Sequence, residues 1–372
     1  MKNKHLYIGL DVHKNENEVA LAFDGRNGQV LPYGRISNDL HAIDRLITKL
    51  RKNHLQTKLH FVYEAGPCGF VIYRHLQRKR KDIDCIVVAP SRIPKKSGDK
   101  VKTDRRDAIM LAKLHRAGEL DAIHVPDPKD EAIRDLCRAR TDARQDLQAT
   151  RFRLKAFLLR NGYKYPLKTA WTARHMGYLR ALTLEDSAHR MILEELLMQI
   201  DSLLEKIERY NEMIETQVES WRWKPVVDAL QAMRGIKLLT ATVLVAELGD
   251  LRRFDSVRKL MSFLGLTSTE YSSGDKRIQY SISKAGNPHA RVFLVESAQH
   301  YKNPPKISRD LSQRQRSVPK PIRDIAWNAQ VRLNKRYWHL VNSGKNYNKA
   351  TVAIARELIG FIWDIYRAVP IQ

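Results

Sequence analysis

The first 126 residues alternate between short apolar runs and helical periodicity, which predicts a mixed α/β domain. Three apolar runs joined by glycine-containing turns predict an antiparallel meander of strands, HLYIGLDV, EVALAFD and QVLPYGRI. Apolar residues at helical spacing follow in SNDLHAIDRLITKL. Two more predicted strands, KLHFVYE and DCIVVAP, flank the helix-like segment FVIYRHLQR, and a further helix is predicted to begin at Asp104.

The predicted order of elements, β-β-β-α-β-α-β-α, distinguishes two fold classes. A doubly wound sheet alternates strands and helices from its start. Three consecutive strands before the first helix are instead typical of a ribonuclease-H-like sheet. We therefore predict an α/β ribonuclease-H-like domain over residues 1–126.

The pattern changes after the linker-like segment VPDPKD at residues 125–130. Apolar side chains then recur at spacings of three and four, as in a coiled-coil seam. The two seams consist of Ala143, Leu147, Thr150, Leu154 and Phe157, and of Leu196, Ile200, Leu203, Ile207, Tyr210 and Ile214. We predict a long antiparallel helical arm over residues 127–225. A simple helical bundle and an oligomerisation arm both remain open as its role.

Residues 226–372 are predicted to form a third, mostly helical domain, interrupted by the polar insert TSTEYSSGDKRIQYSISKAGN. Within it, residues 299–338 contain ten lysines and arginines against two acids, together with Trp327, Tyr337 and Trp338. Basic side chains interleaved with aromatic rings suit phosphate contacts and base stacking. The alternative is an ordinary solvated helix face.

The charge balance narrows the class of partner. The chain has 66 lysines and arginines against 41 acids, a formal net charge of +25. This excess favours a polyanionic partner, with nucleic acid first and a membrane surface second. Because no apolar run reaches the length of a spanning helix and no signal peptide is apparent, we expect a cytoplasmic protein. The three scattered cysteines predict neither a disulfide framework nor a zinc site.

Four acids are candidates for a metal centre. Asp11 ends the first predicted strand and Glu64 ends the fourth. These strands are neighbours in the predicted sheet, so both acids should leave it at the same end. Asp104 and Asp107, at i and i+3, share one face of a helix that can point at the same place. Converging carboxylates repel one another unless cations bind, and hard oxygen ligands favour Mg²⁺ or Mn²⁺.

Each acid alone also has an ordinary structural interpretation. Asp11 can form a strand-end turn, and Glu64 can pair with a surface base. Asp104 can cap the helix, and Asp107 can complement the helix dipole in its first turn. The combination of two acid-terminated apolar strands and a D-x-x-D helix start, in a very basic chain, favours the metal centre.

The segments YIGLDVHK, VYEAGP and KTDRRDA resemble the D…E…D-x-x-D motifs of the insertion-sequence 110 family of transposases, and the similarity extends along most of the chain. The first domain of that family resembles the RuvC Holliday-junction resolvase. The resemblance implies that Asp11, Glu64, Asp104 and Asp107 are the catalytic, Mg²⁺-binding acids, with Mn²⁺ as a possible substitute.

The stretch EYSSGDKRIQYSISKAGN contains the candidate nucleophile. From the residues alone, serines in such a polar loop cap helices or contact solvent. The resemblance implies a different role for Ser273, directly before Gly274: attack on a DNA phosphate to form a phosphoserine link. Ser272 is its rival. No histidine is an obvious base, and the nearby His289 is interpreted as structural.

The resemblance also implies partners. In this family a structured noncoding RNA pairs with donor and target DNA, and dimers join into a tetramer whose active sites combine the RuvC-like domain of one subunit with the serine domain of another. The family's helix-hairpin-helix turn often reads Pro-Gly-x-Gly, whereas this chain has MRGIK, in which Gly235 still permits a tight turn.

Two other functions remain open from the sequence. One is a RuvC-like, structure-selective endonuclease that uses the four acids and water, without a covalent intermediate. The other is a non-enzymatic nucleic-acid scaffold whose acids are structural.

Overall fold

The computed structural model describes residues 4–79, 82–94, 103–273 and 276–370. Contacts between residues divide the chain into two compact units, Met1–Val125 and Pro126–Gln372. The further division of the second unit into an arm over 127–225 and a domain over 226–372 stays a prediction.

The first unit is built on a five-stranded mixed sheet. Its elements are β1 (His5–Val12), β2 (Glu16–Phe23), β3 (Val30–Ser37), α1 (Leu40–Asn53), β4 (Lys58–Glu64), α2 (Val71–Lys79), β5 (Ile83–Val88) and α3 (Asp104–Ala117). The strand order is β3-β2-β1-β4-β5. The first three strands form an antiparallel meander, while β4 runs parallel to β1 and to β5. The predicted order of elements is confirmed.

Apolar side chains cover both faces of this sheet. On one face, alternate residues of β1 and β4 such as Ile8 and Phe61 pack against Ile43 and Leu76 of α1 and α2. On the other face, small residues of β2 and α3 meet closely, among them Ala20 and Ala108. Because strand side chains alternate between faces, a sheet buried on both sides requires nearly continuous apolar runs, as the sequence shows.

The second unit is mostly helical. Its elements are α4 (Pro128–Arg160), α5 (Ala173–Ala181), α6 (Ser187–Glu219), α7 (Lys224–Leu230), α8 (Leu238–Leu248), α9 (Val257–Phe263), β6 (Ser268–Ser273), β7 (Lys276–Ile282), α10 (Pro288–Ala298), α11 (Arg309–Arg314), α12 (Lys320–Asn342) and α13 (Tyr347–Ala368). Its main core lies between α7, α8, α10, α12 and α13, and a smaller apolar cluster joins α4, α5 and α6.

The helices α4 and α6 have 33 residues each, which corresponds to a length of about 50 Å. They pack antiparallel: Arg140 of α4 donates to Asn211 near the end of α6, whereas Phe157 meets His189 near the start of α6. The role of this pair as a coiled-coil oligomerisation arm stays a prediction. In the part of the chain that the structure describes, no helix has the length and apolarity needed to cross a bilayer.

The polar insert, which the sequence analysis interpreted as a loop, is not a loop. It forms a two-stranded antiparallel hairpin, β6–β7, in which Tyr271 pairs with Ile278. Tyr271, Ile278 and Tyr280 are largely exposed. Ile278, Tyr280 and Ile282 alternate with polar residues along β7, and this alternation was the signal that could have predicted the strand.

Candidate metal centre

The parallel pairing of β1 and β4 brings two of the predicted acids to one edge of the sheet. Leu10 and Tyr63 are register partners, so Asp11 and Glu64 follow at the next position on adjacent strands. Side chains two residues apart in a strand share a face. Asp11 therefore shares the face of Gly9, which α3 covers.

The first turn of α3 adds the other two acids. The helix begins at Asp104, as predicted, and Asp107 lies one turn further. The interpretation of Asp104 as the helix cap is wrong, because the hydroxyl of Thr103 accepts the backbone N–H of Arg106 and Thr103 is the N-cap. Asp104 is thus not needed for capping, which leaves its carboxylate available to the cluster.

A histidine that the sequence analysis did not single out lies between two of these acids. The His13 Nε2 atom is 3.1 Å from Asp11 Oδ2 and 3.7 Å from Asp104 Oδ1. One ligand atom from each of these three residues lies within 4.8 Å of the other two. Asp11 and His13 are two apart at the end of an extended strand, so they lie on the same side. The D-x-H spacing in LDVHK was the signal that could have found His13.

The pKa of Asp11 is raised mainly by burial, with a smaller contribution from neighbouring acids. Partial burial raises the pKa of Asp11, the carboxylates of Asp107 and Asp104 raise it further, and His13 acts in the opposite direction. Asp107 is therefore close enough to act on Asp11. Glu64 reaches the same edge by strand register, but among the described residues the grouping with metal-ligand distances comprises Asp11, His13 and Asp104 without it.

The donor set fits a divalent cation. Carboxylate oxygens from Asp11 and Asp104 and one imidazole nitrogen of His13 all lie within 4.8 Å of one another. A cation there would relieve the repulsion that disfavours ionised Asp11. Carboxylates suit Mg²⁺ and Mn²⁺, and imidazole also suits later transition metals, so the donor set does not select one ion.

The remaining predicted residues, Ser272, Ser273 and His289, belong to the second unit. Ser273 is the last residue of β6, and its backbone pairs with Lys276. Its side chain, that of Ser272, and Gly274 lie outside the described part of the structure. His289 lies in the first turn of α10, where its charge acts on the buried carboxylate of Glu247.

The MRGIK turn is tight, with Gly235 at φ +78°. Arg234 beside it donates to the carbonyl oxygens of Asn303, Pro304 and Lys306, so it braces the protein's own backbone.

The basic and aromatic stretch over 299–338 is divided between surface and core. Trp327 and Trp338 are about two-fifths exposed, whereas Tyr337 is buried in the main core of the second unit. The expectation that Tyr337 stacks on a ligand is therefore wrong. Its ring packs edge-on against Trp338 instead.

A ribonuclease-H-like sheet with crowded acids at one edge defines the class of metal-dependent nucleases and transposases. A family model described as "Transposase IS116/IS110/IS902 family" matches residues 227–312, and a DEDD transposase model of the IS110 type matches residues 8–161. The chain belongs to the IS110 family of transposases, which cleave and rearrange DNA, so DNA is its substrate.

Two relatives span nearly the whole chain. The putative transposase y4qE of Sinorhizobium fredii is 41% identical over 98% of this chain and 89% of its own length. The transposase for insertion sequence element IS1533 of Leptospira borgpetersenii is 30% identical over 91% of this chain and 97% of its own.

Proposed function

We propose that this transposase exchanges DNA strands under the guidance of a structured noncoding RNA, through a covalent bond between Ser273 and a DNA phosphate. The proposed phosphoryl-transfer chemistry rests on one observation: Asp11, His13 and Asp104 converge within ligand distance of one another. Such a cluster in a chain of net charge +25 is suited to holding a polyanionic substrate beside a cation.

Asp11 and Asp104 are the proposed metal ligands, with His13 beside them and Asp107 and Glu64 at the same edge of the sheet. When bound, a divalent cation would polarise a phosphoryl oxygen and stabilise charge on the leaving oxygen. His13 orients the Asp11 carboxylate through the contact between Nε2 and Oδ2. The partly buried position of Asp11 excludes water from one side of its carboxylate.

Ser273 is the proposed nucleophile, with Ser272 as its rival. The serine oxygen would form a bond to phosphorus while the bond from phosphorus to one strand breaks, and the proton lost by the serine would end on the departing strand's oxygen. The phosphoserine link retains the energy of the broken phosphodiester, so a second hydroxyl can reverse the step without an external energy source. Ser273 lies within the segment 227–312 that the family model matches.

The proposed RNA supplies the sequence recognition. A protein that grips nucleic-acid backbones needs many cations, whereas base pairing by a guide supplies specificity. The excess of 66 basic over 41 acidic residues supports such a role. Dimers that join into a tetramer on donor and target DNA are part of the same proposal.

The test is a denaturing gel of labelled DNA after incubation with protein, Mg²⁺ and the RNA encoded beside the gene. We expect a protein–DNA adduct that persists in Ser272→Ala, is absent in Ser273→Ala, and requires the RNA. Asp11→Asn should abolish the adduct while RNA affinity stays within twofold of wild type. An adduct that persists in Ser273→Ala would contradict the nucleophile assignment.

The second candidate is a metal-dependent endonuclease that uses water as nucleophile. The acidic cluster favours it to the same degree, because that cluster needs no serine. It predicts nicked DNA without an adduct, with Ser273→Ala as active as wild type and Asp11→Asn inactive.

A further inference from the structure

One face of α4 carries a stripe of four basic residues. Arg140, Arg144, Arg151 and Lys155 are spaced by four, seven and four residues, so they lie along one side of the helix. This stripe belongs to the second unit, whereas the metal centre belongs to the first. It also lies outside the 299–338 segment that the sequence had indicated as basic.

The stripe forms one wall of a groove in the second unit. Two adjoining cavities of about 500 and 490 Å³ make up the groove, and both are lined by Arg144, Phe293 and Glu296. The first continues toward the tight turn at Gly235, and the second continues toward Trp171. Cavities of this size accept a small organic ligand or a nucleotide each, but not the width of a duplex.

The cations at the centre of the groove are not neutralised by the protein. Arg144 and Lys155 are exposed, and neither has an ion pair with an acid among the residues the structure describes. Burial lowers the pKa of Arg140, and the neighbouring charge of Arg144 lowers it further. Two acids line the groove, and one of them, Asp310, is already paired with Arg314 and Lys237. The other acid in the lining is Glu296, and Glu208 acts on Arg140 from outside it.

Arg151 packs against an aromatic ring beside the second cavity. Its guanidinium stacks on the Trp171 ring, 4.9 Å from the centroid. Its Nε atom is buried and has no hydrogen-bond partner among the described residues. Beside it, Phe152 lines the groove with 60% of its surface exposed. An exposed ring next to unpaired cations offers a stacking surface beside phosphate ligands.

We infer that this groove binds a single-stranded nucleic acid, with its phosphates on the α4 stripe and one unpaired base on Phe152. Single strands are bound in this way, by a basic track with aromatic platforms. The inference rests on the nucleic-acid substrate that family membership gives. It is independent of the serine chemistry and of RNA guidance.

The experiment compares two double variants of the full chain with the same loss of charge. Arg144→Ala with Lys155→Ala removes two cations from the groove. Arg153→Ala with Arg160→Ala removes two exposed cations from α4 that do not line it. Arg153 lies about 200° around the helix from Arg151. Binding of labelled 20-nucleotide single-stranded DNA, single-stranded RNA and duplex DNA is measured by anisotropy in EDTA over a range of salt, so no cleavage contributes.

We expect the groove variant to bind at least one single strand roughly tenfold or more weakly, with the salt slope reduced by about 1.4 for two lost phosphate contacts. The duplex and the control variant should change by less than about threefold. Whichever single strand, DNA or RNA, loses more affinity is the one that the groove prefers. Equal losses in the two variants, or an equal loss for duplex, would overturn the inference.

A third variant tests stacking apart from charge. Phe152→Ala should weaken binding of the same single strand by about fivefold or more and leave the salt slope unchanged. Unchanged affinity would overturn the assignment to an unpaired base. Thermal unfolding of all variants, compared with wild type, establishes that the fold is intact, and since Phe152, Arg144 and Lys155 are exposed, little change is expected.

Discussion

A Cβ atom on Gly9 would lie 2.2 Å from the carbonyl oxygen of Ala108 and 2.7 Å from the backbone nitrogen of Ala112. The helix α3 therefore packs directly on the backbone of β1, with no side chain between them. Because α3 begins at Asp104 and Asp11 is two residues beyond Gly9, this contact sets the distance between the two acids.

The first prediction concerns this contact. Gly9→Ala should displace α3 from the sheet, lower the free energy of unfolding by about 1–3 kcal/mol and abolish Mg²⁺-dependent cleavage, since overpacking forces backbone shifts. Gly177→Ala in α5 is the control, because its added methyl meets nothing within 4 Å. Chemical denaturation and a cleavage assay measure both effects. If Gly9→Ala cleaved DNA as fast as wild type, the positions of the acids would not depend on the close packing of α3 on β1.

The second prediction concerns His13. His13 either orients the Asp11 carboxylate or binds the metal ion itself. His13→Ala should therefore weaken Mn²⁺ binding roughly 10- to 100-fold, because loss of the hydrogen-bonding partner of a metal ligand usually has an effect of this size. Isothermal titration calorimetry measures the affinity directly, without an activity assay. His41→Ala, at an exposed position of α1, should leave it unchanged. Equal Mn²⁺ affinities in His13→Ala and wild type would remove His13 from the site.

The third prediction concerns Asp130, a buried carboxylate near the start of α4. It accepts hydrogen bonds from the indole nitrogens of Trp221 and Trp223, at 2.8 and 3.2 Å, and pairs with Arg222. Asp130→Asn would turn an amide NH₂ toward donors on one side of the carboxylate, keep an accepting oxygen on the other side, and remove the charge partner of Arg222. We expect a loss of about 2–4 kcal/mol in the free energy of unfolding.

Urea denaturation tests this expectation against a matched substitution. Asp146→Asn removes the same charge from an exposed position of the same helix and should cost less than about 0.5 kcal/mol. Similar losses in the two variants would mean that the indole hydrogen bonds contribute little.

The fourth prediction concerns pH. His115 lies within 6.1 Å of His60, ring centre to ring centre, and edge-on to Tyr7, and its Nε2 is buried without a hydrogen-bond partner among the described residues. Burial lowers the pKa of His115 to about 4, with His60 lowering it further and Asp84 opposing the shift.

The unfolded chain therefore binds a proton at His115 more readily than the folded protein does. Its ordinary pKa is about 6.5, so the contribution of His115 to stability is complete above that value and is lost as pH falls toward 4. The loss is at most about 3 kcal/mol, reduced by the share of the ring that water reaches.

His115→Leu should flatten the change in unfolding free energy between pH 6.5 and 4, whereas His41→Gln should not. Denaturant titrations across that range give the slope for each variant. A His115→Leu profile parallel to wild type would show that the folded and unfolded chains bind the His115 proton equally well.

Some features of the site could be predicted from the sequence because they depend on local pattern. Two apolar runs that end in Asp11 and Glu64 predict parallel neighbouring strands, and strand register then brings the acids to one edge. The D-x-x-D spacing predicts that Asp104 and Asp107 share a helix face. These inferences need only the periodicity of strands and helices.

Other features depended on how the chain packs. His13 faces Asp104 only because α3 rests on Gly9, and a sequence gives no distance between a strand end and a helix 90 residues away. The burial of Tyr337 depends on α13 and its neighbours covering that side of α12, since both helix faces contain aromatic residues. The basic stripe on α4 is regular in sequence, but its groove exists only where α10 and the Trp171 segment face it.

The sequence by itself determined the order of strands and helices in the first unit, the excess of positive charge and the positions of four acids near element ends. These follow from side-chain periodicity and composition, which are properties of short segments. Only the tertiary structure decided that His13 joins Asp11 and Asp104 and that the α4 stripe lines a groove. Such assemblies depend on interhelix and helix–sheet distances of a few ångströms, which close packing of residues distant in the chain sets.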